Sequence, residues 1–299
     1  MSKEEKTSGA LINIDMGNIG DYSKSATVLF EKVSAAVGGI AGPWQIKRVA
    51  KAEADAEIIR AKARIEIAEV EIRGLQRLVR EEGIKQKNIE DITAKAIPHL
   101  SVDAKPEELE NDWLAHFFDR CRLVSNEEMQ SLWAKILSGQ ANKPGAFSKR
   151  TIDLVATFSK EDAQLFSRLC SFVWKINGAL FPLVLNLEHQ HYKLSSISFS
   201  HLTHLDDIGL IKFENLAGFV SQQDTKHMMA DYFGAIVIIE IPNQRREKYE
   251  ISIGKVLLTQ AGQELANICE SLRSEEHFSY VLKTWFDRGY CLSSLLPLK

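Results

Sequence analysis

Two histidine pairs are the residues whose types and spacing come nearest to chemistry. His189 and His191 are two apart, the spacing that puts imidazoles on one face of a strand; His201 and His204 are three apart, neighbours on a helix. Either pair supplies half of a zinc-type ligand set. No cysteine lies close to them and no acid completes a familiar pattern, so surface or locally hydrogen-bonded histidines are expected, with no metal and no cofactor. Asp112, Asp119, Arg120, Arg122 and Glu128 form a mixed-charge cluster on amphipathic segments. Such clusters are usually solvated faces or structural ion pairs, and it is read so here rather than as a carboxylate site. The chain contains no GxSxG, HExxH, Walker lysine loop or GxGxxG. Gly38, Gly39 and Gly42 are not followed by Gly-Lys-Ser/Thr and make no phosphate loop. The sequence therefore nominates no catalytic residue, and a non-enzymatic protein is expected.

Composition narrows the class. The chain has 299 residues, 45% apolar and 26% charged, with a formal net charge of −3. That is the balance of an ordinary globular protein and not of a strongly basic nucleic-acid binder. Cys121, Cys170, Cys269 and Cys291 are far apart and form no CxxC, so a disulfide framework or zinc ribbon is not expected and a reducing cytoplasm fits. The first residues lack the basic-then-apolar pattern of a signal peptide, and no apolar run is long enough to span a membrane.

The elements that would position functional residues divide the chain into four parts. Residues 1–20 read as a flexible N-terminus. Residues 21–100 read as a helical hairpin or coiled-coil segment, 101–158 as a helical middle, and 159–299 as a winged-helix-like α+β domain. In the second part, Val28, Leu29, Val33, Ala36 and Val37 share a helix face, and Ser23 is a candidate cap. The charge-free stretch Val33 to Ile46 follows. Its glycines permit a buried corner, with Pro43 starting the next helix. The competing reading is an interfacial membrane segment, with Val37, Ile40, Trp44, Lys47 and Arg48 as candidate contacts.

A long alanine- and charge-rich helix comes next. Ile58, Ile65, Ile72 and Val79 are seven apart, and Ala61, Ala68 and Leu75 sit three residues behind the first three of them. With Ala54 they make an a/d seam, Ala54-Ile58-Ala61-Ile65-Ala68-Ile72-Leu75-Val79, whose small d residues let a partner helix approach closely. Homo-oligomerisation is one expectation; an intramolecular partner, either the helix from Asp21 to Val37 or the segment around Gln86 folding back, is the other. Gly83 is a candidate end of this helix.

Farther on, Ser125 and Glu128 resemble a capping box, Ser148 or Thr151 a helix start, and Ser159 another cap. Leu180 to Leu187 reads as a strand and Phe199 to Ile208 as a short helix. Ala235 to Ile241 and Tyr249 to Ile253 read as a hairpin, Thr259 as the cap of a helix to Leu272, and Glu275 to Leu298 as an amphipathic helix. That order is winged-helix-like. In a DNA-reading version the helix FSHLTHLDD would enter the major groove, yet it lacks lysine and arginine and carries two acids. Arg245, Arg246 and Lys248 are the candidate nucleic-acid contacts of that alternative. A protein partner for the module is expected ahead of nucleic acid.

One family resemblance adds to this reading. LFEKVSAAVGGIAGPWQIKRVAKAEADAEIIRAKARIEI resembles the N-terminal signature of the bacterial abortive-infection alpha family, which a related bacterial family of uncharacterised function shares. NDWLAHFFDRCRLVSNEEMQSLWAKILSGQANKPGAFSKRTIDLV and VLLTQAGQEL resemble that second family specifically. The resemblance implies a bacterial cytoplasmic protein in phage defence, and it transfers no catalytic residue. The expected function is thus a non-enzymatic, abortive-infection-like protein, peripheral at the inner membrane if the glycine-rich segment meets lipid. The alternative is a winged-helix DNA-binding regulator.

Overall fold

The computed structural model describes residues 22–38, 69–242 and 248–294. They form a mostly helical protein with a sheet-containing C-terminal region. Helix α1 (Tyr22–Val37) buries Leu29 and Val33 completely, with Ala26, Ala36 and Val37 partly covered beside them. It packs on α3 (Asn111–Cys121) and on the 3-10 turn Pro106–Glu108. Its apolar stripe is thus used against α3, while most of the heptad seam that α1 was one candidate to cover lies outside the described residues.

Helix α2 (Glu69–Ala96) runs unbroken through Gly74 and Gly83. Neither a stop at Gly83 nor a fold-back near Gln86 occurs. A helix-interior glycine costs about 1 kcal/mol relative to alanine, and burial of Ile89, Ile92 and Ala96 one to three turns later offsets it. This C-terminal end packs on α4 (Glu127–Asn142), whose buried face carries Trp133, Ile136, Leu137 and Ala141. The cap of α4 is Asn126, which accepts from the Met129 amide at 3.1 Å, rather than Ser125. Asparagine caps as well as serine, and the shift moves the helix start by one residue. Trp113 of α3 stacks on Phe117 and donates its indole N–H to the Phe147 carbonyl at 2.9 Å. Phe117 meets Trp133 edge to face at 5.2 Å, which locks α3 on α4.

Helices α5 (Lys149–Val155), capped by Ser148, and α6 (Lys160–Cys170), with a Ser159/Asp162 capping box, complete the helical core. The sheet region then begins. Strands β1 (Val173–Ile176) and β2 (Ala179–Pro182) pair directly. Short helices α7 (Gln190–Leu194) and α8 (Phe199–Asp207) precede β3 (Ile211–Phe213). Strands β4 (Phe219–Gln223), β5 (His227–Tyr232), β6 (Ala235–Glu240), β7 (Tyr249–Gly254) and β8 (Val256–Leu258) follow, then α9 (Gln260–Ala266), α10 (Glu275–Asp287) and β9 (Cys291–Ser294).

The main sheet has the order β2-β1-β5-β6-β9, with β3-β8 and β4-β7 as separate antiparallel pairs. β6 and β7 are thus not a hairpin: β6 lies between β5 and β9, and β7 pairs with β4. β4 and β5 escape the sequence reading because their exposed positions mix apolar Val220 and Met229 with polar Gln222 and His227. The tail is likewise corrected. Gly289, at φ +81°, ends α10, and Leu292 of β9 sits opposite Ile239 instead of on a continuing helix. Phe278, Val281 and Trp285 of α10 cover the sheet and build a second core around Trp174 and Tyr232.

The segment VLLTQAGQEL has a local mechanical reason. The Thr259 hydroxyl accepts from the Gly262 amide at 3.1 Å and donates to the Gly209 carbonyl at 2.8 Å. A Cβ on Gly262 would lie 2.1 Å from the Leu210 carbonyl oxygen, so the position admits only glycine without backbone movement. Gly262→Ala is expected to lower unfolding stability by about 1–3 kcal/mol, the usual cost of overpacking. Gly74→Ala, where a Cβ meets nothing within 4 Å, is expected to raise it by about 0.5–1 kcal/mol. Chemical denaturation of the two variants measures both signs.

Candidate functional site

Two features stand out: a helix surface that the described residues leave largely exposed, and a chain of imidazoles that runs from exposed His189 to buried His191 and His277. In α2 no residue before Asn88 is buried. Between Glu69 and Lys87, about 28 Å of helix at 1.5 Å per residue, the partly covered positions are Ile72, Leu75, Val79, Lys85 and Gln86. The first three are the end of the heptad seam, so the structure puts them on one face. Val70 and Leu78 are 68% and 53% exposed. Arg73 with Glu69 and Arg77 with Glu81 form i,i+4 ion pairs along the solvated sides. The remaining seam residues, Ala54, Ile58, Ala61, Ile65 and Ala68, lie outside the described residues.

The anchored end of α2 is held by a buried amide network. Asn88 donates to the Arg122 carbonyl at 2.9 Å, and Gln130 donates to the Asn88 side-chain oxygen at 3.3 Å and to the Val124 carbonyl at 3.0 Å. Lys95 donates to the Gln130 carbonyl oxygen at 2.7 Å. Each amide is satisfied on both its oxygen and its nitrogen, which fixes the angle at which the free part of the helix leaves the body.

His189 and His191 do meet, and they meet a third histidine that the sequence reading missed. The Trp174 indole N–H donates to His277 Nε2 at 3.2 Å. His277 Nδ1 lies 3.2 Å from His191 Nε2, and His191 Nδ1 lies 2.6 Å from His189 Nδ1. One tautomer set satisfies the chain. His277 carries its proton on Nδ1 and donates to His191, and His191 carries its own on Nδ1 and donates to His189. His189 Nδ1 also accepts from the His191 amide as the cap of α7. The contacts run ring nitrogen to ring nitrogen. Among the described residues no group of three or more His, Cys, Asp or Glu is placed to hold a metal ion.

His277 and His191 are buried where the two cores meet, against Phe172, Tyr192 and Tyr280. Burial first, and the neighbouring His191 second, push His277 down to about 3. Burial and then His189 push His191 down to about 4. Both are therefore neutral at pH 7. A sequence signal for His277 exists: it shares the inward face of α10 with Val281 and Trp285, one and two turns on. Its partner is 86 residues away, and no local pattern names it.

The other nominated residues separate. His201 meets its own helix cap Ser198, and His204 pairs with Asp162 at 2.5 Å. The mixed-charge cluster resolves into ion pairs: Arg120 with Asp153 at 2.8 Å, Arg122 with Asp119 at 2.9 Å and Glu128 with Lys160 at 2.7 Å. Val37 lies against the helical core, and Ile40, Trp44, Lys47 and Arg48 lie outside the described residues. Lys248 is 4.0 Å from Asp224, while Arg245 and Arg246 lie outside the described residues. Among the described residues no helix is long and apolar enough to cross a membrane.

A family model described as a protein of unknown function, DUF2806, matches residues 72–282. The chain belongs to the DUF2806 family. The DUF2806 match takes in the seam residues Ile72, Leu75 and Val79, the amide network, the histidine chain and most of both cores, leaving out Leu29 and Val33 of the first and Trp285 and Tyr290 of the second. No curated protein and no solved structure matches the chain.

The histidine chain makes stability depend on pH in one direction. In the unfolded chain His191 and His277 protonate near pH 6.5, whereas in the folded protein they stay neutral to about 4 and 3. Below pH 6.5 the unfolded state binds more protons, so stability falls as pH falls and is restored above it. Unfolding stability should drop by up to about 1.4 kcal/mol per pH unit for each group between pH 6 and 4. Denaturant titrations across that range check this, and His277→Gln should flatten the slope.

Proposed function

We propose that this protein is a non-enzymatic assembly protein that self-associates through the seam from Ala54 to Val79. One observation carries the reading. Among the described residues the Glu69–Glu81 part of α2 has no buried side chain, yet its least exposed apolar residues, Ile72, Leu75 and Val79, follow a heptad spacing. An apolar helical stripe is stable in water only when another surface covers it. Within the described chain α1 is committed to α3, and α4 to the other end of α2. A second copy supplies the same Ile/Ala seam, and the small d residues suit close approach of two identical helices as a coiled coil.

The biological setting we propose is bacterial phage defence of the abortive-infection kind, supported by the resemblance of the N-terminal segment and by the absence of a catalytic constellation in the sequence. Contact with a membrane surface by Ile40 to Arg48 belongs to the same proposal, with the inner membrane as its place. The C-terminal module is read as a winged-helix-like unit that meets protein. Its support is the order of α8, β3, β8 and the Thr259-capped α9, with β3 and β8 paired. The DNA-reading alternative draws less support. The helix Phe199–Asp207 carries no lysine or arginine, and Asp206 is engaged with the Phe213 amide at 3.1 Å.

The test is mass in solution. The full chain should run as a dimer or larger, and Ile72→Glu/Leu75→Glu/Val79→Glu should run at the 33.7 kDa of one chain. Its circular dichroism should show the remaining helices retained, because the changes lie outside both cores. A wild-type monomer at tens of micromolar would remove the proposal. Flotation with anionic vesicles, and survival of phage-challenged cells carrying the triple variant, test the membrane and defence parts separately.

A further inference from the structure

Cys269 lines a cleft of about 250 Å³ together with Glu128, Lys135, Lys160, Ser167 and Glu270. Cys170, the last residue of α6, lies behind it, fully enclosed in the helical core against which Cys269 also packs. The two segments are tied by geometry. The Ser167 hydroxyl, one turn before Cys170, donates to the Glu270 carbonyl at 3.0 Å, although the two residues are 103 apart in the chain. Lys135 pairs with the Glu270 carboxylate at 2.8 Å. Both thiols are free, and the two residues pack in the same core. We propose that Cys269 and Cys170 are a hydroperoxide-sensitive thiol pair that closes to a reversible disulfide, with Cys269 the attacking sulfur and Cys170 the resolving one.

The roles follow from the surroundings. Cys269 is partly exposed in the cleft. The neighbouring Cys170 thiol lowers its pKa most, against a raising effect of burial, with Ser167 and Lys135 adding to the lowering. Burial holds Cys170 well above the usual thiol range, so it stays protonated and out of reach until Cys269 reacts. The cleft's lysines are each paired with a glutamate, Lys135 with Glu270 and Lys160 with Glu128. A nearly neutral cleft of this size suits a small neutral oxidant, hydrogen peroxide or a short alkyl hydroperoxide.

The steps balance. The Cys269 thiolate attacks one peroxide oxygen, the O–O bond breaks, and hydroxide (or alkoxide) leaves a sulfenic acid on Cys269. The Cys170 sulfur then attacks the Cys269 sulfur. The S–S bond forms, the S–O bond breaks, and the departing hydroxide takes the Cys170 proton as water. The two thiols are oxidised by two electrons and the hydroperoxide is reduced. A dithiol such as dithiothreitol returns the pair to thiols.

The experiment uses the full chain and hydrogen peroxide. After proteolysis without reductant, mass spectrometry should find a peptide pair joined through Cys170 and Cys269, two hydrogens lighter than the reduced pair and released by dithiothreitol. Exposed Cys291 and buried Cys121 should stay thiols at the same dose. Cys170→Ala should leave a Cys269 sulfenic acid that dimedone labels. Lys135→Gln should slow wild-type disulfide formation roughly three- to ten-fold, since the Glu270 charge is then uncompensated beside the thiolate. The linked peptide can be sought in the unaltered chain, so a poorly folding variant does not spoil the test. Cys269 reacting no faster than Cys291, or a Cys269 sulfenic acid persisting beside an intact Cys170, would overturn the proposal.

Discussion

The long helix is held by its last few turns, and the architecture depends on that attachment. Ile89, Ile92 and Ala96 supply apolar burial, but it is the amide pair Asn88 and Gln130 that sets position. Apolar contact alone lets a helix slide or rotate by a residue at modest cost, whereas a buried amide left unpaired costs about 1–3 kcal/mol. Because Asn88 reaches the Arg122 carbonyl and Gln130 the Val124 carbonyl, the network also fixes the turn between α3 and α4. The free part of α2 therefore leaves the body at a defined point and angle. The proposed pairing of this surface with a second copy would draw on that rigidity.

Behind this attachment the molecule is two cores with a shared wall. The helical core is built on Trp133, Phe117 and their neighbours, the second on the mutually stacked Trp174, Tyr232 and Phe278. Backbone carbonyls supply partners for several of the buried aromatic polar atoms, whereas the indole N–H groups of Trp133 and Trp285 find none among the described residues. Tyr232 donates to the Ser171 carbonyl and Tyr192 to the Leu183 carbonyl, each at 2.6 Å. The histidine chain serves the same need at the wall itself: the Trp174 N–H is satisfied by His277, and each imidazole satisfies the next. Burial keeps His191 and His277 uncharged there, which is why the wall is stable near neutral pH and vulnerable in acid.

Much of the local structure was legible. The stripes of α1, α3 and α10, the caps Ser148, Ser159 and Thr259, and the heptad phase of Ile72, Leu75 and Val79 all follow from spacing along one helix. The failures are as informative. Gly83 was a weak helix residue, but burial farther along overrode it. β4 and β5 expose apolar Val220 and Met229 along with Gln222 and His227, so neither shows the apolar-in, polar-out alternation of a half-buried strand. The tail was amphipathic throughout, and only Gly289 in the left-handed region converted its end from helix to strand.

By itself the sequence determined the helices, their caps and inward faces, and the lack of a known catalytic motif, because those depend on residues three to seven apart whose geometry the backbone imposes locally. The tertiary structure decided which strands are neighbours, that β6 belongs with β5 and β9, that His191 meets His277, and that Ser167 brings Cys170 to the segment of Cys269. These pairings join residues scores of positions apart. They are fixed by how two apolar cores close on each other, and no periodicity along the chain encodes that closure.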